Sequence, residues 1–109
     1  MPTSAKASKS SYVESPDEEF VTVFAALSDP IRVRMLRMMV QHGSRAFPCT
    51  TFDTELPIAK STISYHSQIL RRANLISVQK EGRNYFYHLR VDTLRRFAPA
   101  LLKHLRTDS

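Results

Sequence analysis

Residues 59–89 read AKSTISYHSQILRRANLISVQKEGRNYFYHL, and this stretch decides the fold class. Its first half, residues 60–74, predicts a helix with apolar side chains on one face and polar side chains on the other. Its second half predicts strands over residues 76–79 and 84–89, joined by a turn in which Gly82 takes a positive φ. The sequence therefore predicts an amphipathic helix followed directly by a β-hairpin.

Three helices are predicted before this stretch. Ser15-Pro16-Asp17-Glu18 combines a capping hydroxyl, a proline suited to the first helical position and a carboxylate three residues after the serine, so the first helix begins there. Asp29-Pro30 caps a second helix, which Gly43 ends. A polar or irregular link over residues 44–50 then leads to a short helix around residues 51–56.

An apolar stripe follows the hairpin and predicts a last helix, which Pro99 bends. The stripe consists of Leu94, Phe97, Ala98, Leu101, Leu102 and Leu105. The whole order is helix, helix, short helix, helix, hairpin, helix, which gives a mostly α fold with a small β-hairpin. We expect residues 15–109 to form one domain, preceded by a flexible tail over residues 1–14 that is poor in apolar side chains.

The charge balance favours an anionic partner, either nucleic acid or a membrane surface. The 109 residues hold 16 Lys and Arg against 10 Asp and Glu, and residues 30–109 alone carry a net charge of +9. No apolar run reaches the length of a membrane span, so we expect no membrane insertion. The absence of a signal-like N-terminus and the single cysteine, Cys49, are typical of a cytoplasmic protein.

A short helix, a tight turn and a second helix form the helix-turn-helix arrangement, whose second helix enters the DNA major groove. Polar groups on that helix suit base edges and phosphates, and cations at the hairpin tip can reach neighbouring phosphates. The candidate DNA-binding residues are Lys60, Ser61, Thr62, Ser64, Tyr65, Gln68, Arg72, Lys80 and Arg83. An ordinary solvated helix face is the alternative interpretation, which the cations of the hairpin weaken.

Four blocks resemble the ArsR family of winged-helix repressors: LSDPIR at 27–32, KSTISYH at 60–66, LRRANLI at 70–76 and KEGR at 80–83. The resemblance covers residues 20–90. It implies a winged helix-turn-helix homodimer, assembled through its first and last helices, that binds double-stranded operator DNA and leaves it when an inducer such as a small molecule binds. The candidate dimer-interface residues are Phe20, Phe24, Leu94, Phe97, Leu101, Leu102 and Leu105.

The chain departs from the family pattern around the predicted turn and helix. Ala59 stands where a capping Ser or Thr is usual, and Pro57 replaces the turn glycine. Ser67 replaces an apolar helix residue, and Asn74 replaces a second glycine. Loss of a side-chain cap costs about 0.5–2 kcal/mol, which a helix held by packing tolerates.

The metal-sensing motifs of the family are incomplete in this chain. Cys49 lacks a paired cysteine, and Asp92 and His104 lack the further histidine and late carboxylate of the terminal-helix site. We therefore expect neither a metal nor a cofactor, and no redox role for Cys49, which has no resolving cysteine. The resemblance also implies that His66 packs beneath the second helix of the motif as a structural histidine.

Two side-chain clusters leave alternatives open. Met35, Met38 and Met39 can fill the core or line a pocket for an apolar effector, and core filling is favoured. The aromatic run of residues 85–87 can stack on bases or support the hairpin, and strand alternation favours support for at least one face.

Other functional classes receive less support from the sequence. No nucleophile–base set, glycine-rich phosphate loop or complete metal cluster is present, so we expect no enzyme. The main rival is a nucleoid-type or RNA-binding winged helix that contacts backbones without base readout. A third hypothesis is a protein-interaction module whose apolar last helix binds a foreign partner.

Overall fold

The computed structural model describes residues 16–43 and 46–107. The predicted tail over residues 1–14 lies outside the described residues. The elements, in chain order, are α1 (Pro16–Leu27), α2 (Pro30–His42), β1 (Phe47–Pro48), α3 (Cys49–Glu55), α4 (Lys60–Arg72), β2 (Ile76–Glu81), β3 (Asn84–Leu89), α5 (Val91–Phe97) and α6 (Pro99–Arg106). No helix in the described ranges is long and apolar enough to cross a membrane.

The N-terminus of α2 shows how the sequence sets a helix boundary. Asp29 has extended backbone, and its carboxylate accepts hydrogen bonds from the backbone N–H of Ile31 at 2.8 Å and of Arg32 at 3.3 Å. Burial raises the pKa of Asp29, but these two hydrogen bonds and the electrostatic interactions with His66 and Arg32 together lower it by more, so the pKa falls below its ordinary value. The predicted helix start is confirmed, as is its end at Gly43, where φ is +100°.

The helix-turn-helix consists of α3, a turn over residues 56–59 and α4. The turn ends at Ala59, whose backbone is extended and whose carbonyl accepts the first hydrogen bonds of α4 from Thr62 and Ile63. Ala59 offers no capping side chain. The helix forms nonetheless because Ile63 and Leu70 are buried in the core.

The far end of α4 turns sharply into the hairpin. Asn74 has φ +61°, and the N–H of Leu75 donates to the carbonyl of Leu70 at 3.0 Å, which satisfies a carbonyl that the helix end leaves open. Asparagine thus takes the left-handed position usually given to glycine. β2 and β3 then pair antiparallel around a two-residue turn, with Gly82 at φ +65°.

The predicted irregular link over residues 44–50 is wrong in part. Phe47–Pro48 forms β1, which pairs with β3 and makes a three-stranded sheet in the order β1-β3-β2. α3 begins directly after it at Cys49, earlier than the predicted helix over 51–56. A two-residue strand has no periodicity that a sequence can show, and burial of Phe47 against Phe52, with ring centroids 4.7 Å apart, holds it in place.

The predicted single bent helix at the C-terminal end is also wrong. The chain breaks at Ala98, which has φ −147° and ψ 63°, and Pro99 opens a separate helix, α6. A residue before proline is pushed out of the helical region, whereas proline itself suits the first turn of the next helix. The stripe of apolar side chains continues across the break.

The core lies between α2, α4, the sheet and the two C-terminal helices. Its fully buried side chains include Met35, Leu36, Phe52, Leu70, Leu75, Leu94 and Leu105. Met35 and Met39 are buried in the core and Met38 is partly buried against it, as the core-filling interpretation requires. Tyr87 stacks near Phe52 at 5.7 Å between ring centroids, so this residue of the aromatic run supports the hairpin.

Candidate nucleic-acid interface

The outward face of α4 displays the polar side chains that the sequence singled out. All of Lys60, Ser61, Thr62, Ser64, Tyr65, Gln68 and Arg72 are exposed, with Tyr65 60% exposed. The opposite face is buried through Ile63, His66, Ser67 and Leu70. Because packing holds one face against the core, the other is presented rigidly to solvent.

The hairpin tip adds two cations to the exposed polar side chains of α4. Lys80 and Arg83 are both exposed, and Lys80 Nζ lies 5.7 Å from the ring centroid of Tyr85, which is itself 50% exposed. At the base of the hairpin Tyr87 is packed inward, and burial raises the pKa of its phenol above the ordinary value. The hairpin therefore has a packed base and a cationic tip.

An open cleft of about 530 Å³ joins α4 to the hairpin strand β2. Its lining includes Gln68, Arg71 and Arg72 from α4, together with Ser77 and the aliphatic side chains of β2. Arg72 Nη2 donates to Gln68 Oε1 at 3.5 Å, which orients the amide. Two guanidiniums thus line the passage from the helix to the hairpin.

The sequence prediction omitted Arg71, which is exposed beside Arg72. The signal was present, because a residue three positions after Gln68 lies on nearly the same side of a helix. We define the basic surface as Lys60, Ser61, Thr62, Ser64, Tyr65, Gln68, Arg71, Arg72, Lys80 and Arg83. Within residues 16–43 and 46–107, the ion pairs are Arg32–Asp29, Arg90–Asp92 and Arg96–Glu19, so none neutralises a cation of this surface.

Comparison with known proteins agrees with this arrangement. A family model described as a helix-turn-helix domain matches residues 27–79. The uncharacterized HTH-type transcriptional regulator YceK of Bacillus subtilis (strain 168) is 33% identical over 92 residues, which are 84% of this chain and 91% of that protein. The uncharacterized HTH-type transcriptional regulator MJ1325 of Methanocaldococcus jannaschii is 33% identical over 78 residues, 72% of this chain and 85% of that protein.

Solved structures show the same likeness over most of the chain. An ArsR-like transcriptional regulator from Rhodococcus sp. RHA1 is 28% identical with a TM-score of 0.62, over 80% of this chain and 79% of that chain. HlyU from Vibrio cholerae N16961 has a TM-score of 0.66 over 85% of this chain and 97% of its own, and at 23% identity it shows the fold alone. The chain belongs to the ArsR-like winged helix-turn-helix transcriptional regulators.

Membership of the ArsR-like regulators makes the protein a DNA-binding transcriptional regulator and not an enzyme. The part of the chain that the structure describes contains no group of three or more His, Cys, Asp or Glu side chains able to hold a metal ion. Burial raises the pKa of the Cys49 thiol, which disfavours the thiolate that redox chemistry requires. The family, the fold and the DNA-binding role predicted from the sequence are thus confirmed.

The candidate dimer-interface residues of this ArsR-like regulator fall into two groups. Leu94, Leu102 and Leu105 are buried in the core of the chain itself, so they are not available to a second copy. The sequence shows that these side chains form an apolar stripe, but it does not show whether the chain's own core or a second copy covers them. Phe97 and Leu101 are half-buried, and Phe20 and Phe24 are exposed.

The exposed members form a patch that the sequence prediction captured only in part. Phe20 lies 4.5 Å from Phe24 and 6.3 Å from Phe97 between ring centroids. Val21, which the prediction omitted, is 60% exposed and lies three residues before Phe24. We define the apolar patch as Phe20, Val21, Phe24 and Phe97. An ion pair of 3.3 Å between Arg96 and Glu19 links its two helices.

Proposed function

We propose that this ArsR-like regulator is a sequence-specific repressor that binds double-stranded operator DNA as a homodimer. The observation that carries the proposal is the basic surface, in which nine residues named from sequence alone are exposed on one helix face and one hairpin tip. In this proposal α4 is the recognition helix, and the hairpin is a wing that contacts the adjacent backbone.

Base readout falls to the first half of α4 and to Gln68. Lys60 can donate to the O6 and N7 of guanine, and the Gln68 amide can pair with adenine. The hydroxyls of Ser61, Thr62 and Ser64 serve bases or phosphates, since a hydroxyl both donates and accepts. These side chains project from a helix whose other face is fixed in the core, which suits selective recognition.

Backbone contacts fall to the arginines and to the wing. Arg71 and Arg72 line the cleft between the recognition helix and β2, where a phosphate strand can pass between helix and wing. Lys80 and Arg83 extend the same positive charge to the tip. Contacts of this kind set the register of the protein on DNA and supply affinity that salt reduces.

Homodimer formation is assigned to the apolar patch. Apolar area is buried when the exposed Phe20 and Phe24 and the half-buried Phe97 meet the same patch of a second copy about a two-fold axis. Two recognition helices then face successive major grooves about 34–36 Å apart on an imperfect palindrome. An inducer that binds the off-DNA state more tightly releases the repressor, in accordance with the family pattern.

The experiment is a competition binding assay with the DNA upstream of the protein's own coding sequence. A labelled upstream fragment is displaced by the same unlabelled fragment or by a length-matched shuffled fragment, at several fixed salt concentrations. We expect the upstream DNA to compete at least about a thousandfold better, the lower bound typical of specific recognition. Equal competition by both fragments would replace the repressor with a nucleoid-type protein that binds backbones alone.

A further inference from the structure

A buried arginine of α2, Arg32, contacts both α1 and the recognition helix α4. Arg32 is only 8% exposed. Its Nε donates to the carbonyl of Ala26 at 2.7 Å, and its Nη2 donates to the carbonyl of Ala25 at 3.2 Å. These carbonyls belong to the last turn of α1, which carries no basic side chain of its own. Arg32 therefore supplies the positive charge that the C-terminus of α1 favours.

The third contact of Arg32 is with the recognition helix. Its Nη1 lies 2.9 Å from Nδ1 of His66, which is 7% exposed. A guanidinium has only donors, so Nδ1 must accept and the ring proton must be on Nε2. The contact therefore requires a neutral imidazole. A protonated His66 has no lone pair at Nδ1 and places a second positive charge beside the guanidinium.

His66 lies among the residues proposed to read bases. Tyr65 precedes it, with the two ring centroids 5.2 Å apart, and Ser64 and Gln68 are each two positions away along α4. A shift of His66 relative to Arg32 changes the position of all three. Arg32 is also hydrogen-bonded to the end of α1. The Arg32–His66 contact therefore connects the helix that carries the apolar patch with the helix that is proposed to read DNA.

We infer that Arg32 and neutral His66 form a positioning joint that sets the recognition helix for selective DNA binding, and that protonation of His66 releases it. This inference rests on the proposed function. Loss of the joint lowers selectivity for operator DNA, since base edges discriminate only when donors and acceptors are correctly placed. Attraction to phosphates does not depend on such placement.

Two other groups lie beside His66, and one of them, Asp29, interacts with it electrostatically. The Asp29 carboxylate interacts electrostatically with His66 and lies 4.0 Å from Arg32 Nη1, so it attracts an imidazolium. The Tyr65 ring lies edge-on to the imidazole, with the ring centroids 5.2 Å apart. When His66 is protonated, Asp29 is the partner that remains favourable, and the ring exchanges a contact with Arg32 for attraction to Asp29.

The test measures binding to upstream and shuffled DNA between pH 7.5 and pH 5.5 at constant salt. We expect the upstream-to-shuffled affinity ratio of the wild type to fall at least about tenfold as the pH is lowered. Affinity for shuffled DNA should hold or rise, because protonation adds positive charge. The His66→Gln variant keeps an acceptor for Arg32 without titrating, so its ratio should stay constant.

His104→Gln is the matched control, because it removes an exposed histidine of α6 and leaves the joint intact. It should retain the pH dependence of the wild type. A pH-independent ratio in the wild type, or the same fall in His66→Gln, would overturn the inference. Lower thermal stability of His66→Leu with an unchanged affinity ratio would also overturn it, because the pair would then be structural only.

Imidazole ¹⁵N NMR of the full-length wild type tests the joint without DNA. We expect His66 to show an unprotonated Nδ1 and a protonated Nε2 at pH 7.5. A proton on Nδ1 would contradict the joint. If the upstream DNA is not preferred at pH 7.5, the proposed function fails, and the ¹⁵N signals still decide whether Arg32 holds His66 in the required form.

Discussion

The outward faces of α1 and α4 are both exposed to solvent, yet they differ in the partner that each can accept. α1 presents Phe20 and Val21, which are 49% and 60% exposed, and continues into Phe24. α4 presents hydroxyls, an amide and cations from Lys60 to Arg72. Exposure alone therefore does not define a functional surface. The chemistry of the exposed side chains is the reason we propose one face for a second copy and the other for DNA.

The comparison predicts opposite responses to salt. Contacts of the basic surface with phosphates release counterions, so DNA affinity falls steeply as salt rises. Association through the apolar patch buries hydrocarbon and aromatic area, which salt does not screen. Substitutions at Phe24, Gln68 and Arg83 each alter one face and leave the other as an internal reference.

The largest effect is expected from Phe24→Asp, which places a charge in the apolar patch. We expect the dimer to dissociate and affinity for the upstream DNA to fall about a hundredfold or more, because two half-sites are no longer bound together. Sedimentation velocity and DNA titration measure the two changes. Thr22→Asp introduces the same charge at an exposed position of α1 outside the patch and should leave a dimer; dissociation of both variants would argue against the patch.

Gln68→Ala tests base readout on the α4 face. We expect upstream DNA to lose about 1–3 kcal/mol of binding free energy, whereas shuffled DNA loses little, because the amide reads a base edge. The measurement is the ratio of the two affinities at one salt concentration. A uniform loss on both DNA fragments would show that Gln68 contacts the backbone.

Arg83→Ala tests the wing. We expect all DNA sequences to bind more weakly to a similar extent and the salt slope to decrease by roughly 1, since one phosphate contact is removed. Titrations at four or more salt concentrations give the slope. The control is Arg106→Ala, which removes an exposed arginine of α6 outside the basic surface. An equal change of slope in the control would point to net charge alone.

The smallest effect concerns α2, which connects the two faces. Asp29→Ala should lower the free energy of unfolding by about 1 kcal/mol at pH 7, because it removes a helix cap. Since the folded pKa of Asp29 is lowered, its carboxylate contributes stability above the ordinary pKa of about 3.9 and loses that contribution as the pH falls through the folded value. Urea unfolding at pH 7 and pH 3 should show the difference shrink.

Asp29→Asn is the matched variant for this pH dependence. It keeps an oxygen that accepts from the backbone N–H groups and removes the titration. We expect it to be more stable than Asp29→Ala at pH 7, with a difference from the wild type that shrinks toward low pH. An Asp29→Ala deficit that stays constant from pH 7 to pH 3 would contradict the assigned role of the carboxylate.

Local signals were sufficient for much of the fold and of the basic surface. The cap at Asp29, the glycine at position 82 and the amphipathic pattern of α4 act over a few residues, so the sequence shows them directly. The exposure of the candidate DNA-binding residues of α4 follows from the same helical pattern. These features required no knowledge of what packs against them.

Features that depend on distant residues escaped prediction. β1 exists because Phe47 pairs opposite Tyr87, forty residues later in the chain. The stripe that includes Leu94 and Leu105 is apolar whether its own core or a second copy covers it, and the structure shows that the core does. The Arg32–His66 contact joins two separate stretches of the sequence, residues 27–32 and 60–66, and neither stretch alone indicates that they meet.

The most direct test of the central claim is a hydroxyl-radical footprint of the wild-type protein on its own upstream DNA. If α4 and the wing read DNA as a dimer, two protected regions will appear with centres about 34–36 Å apart, and Gln68→Ala will weaken them on this DNA. Uniform protection along the fragment, unchanged on shuffled DNA, would contradict selective recognition by the basic surface.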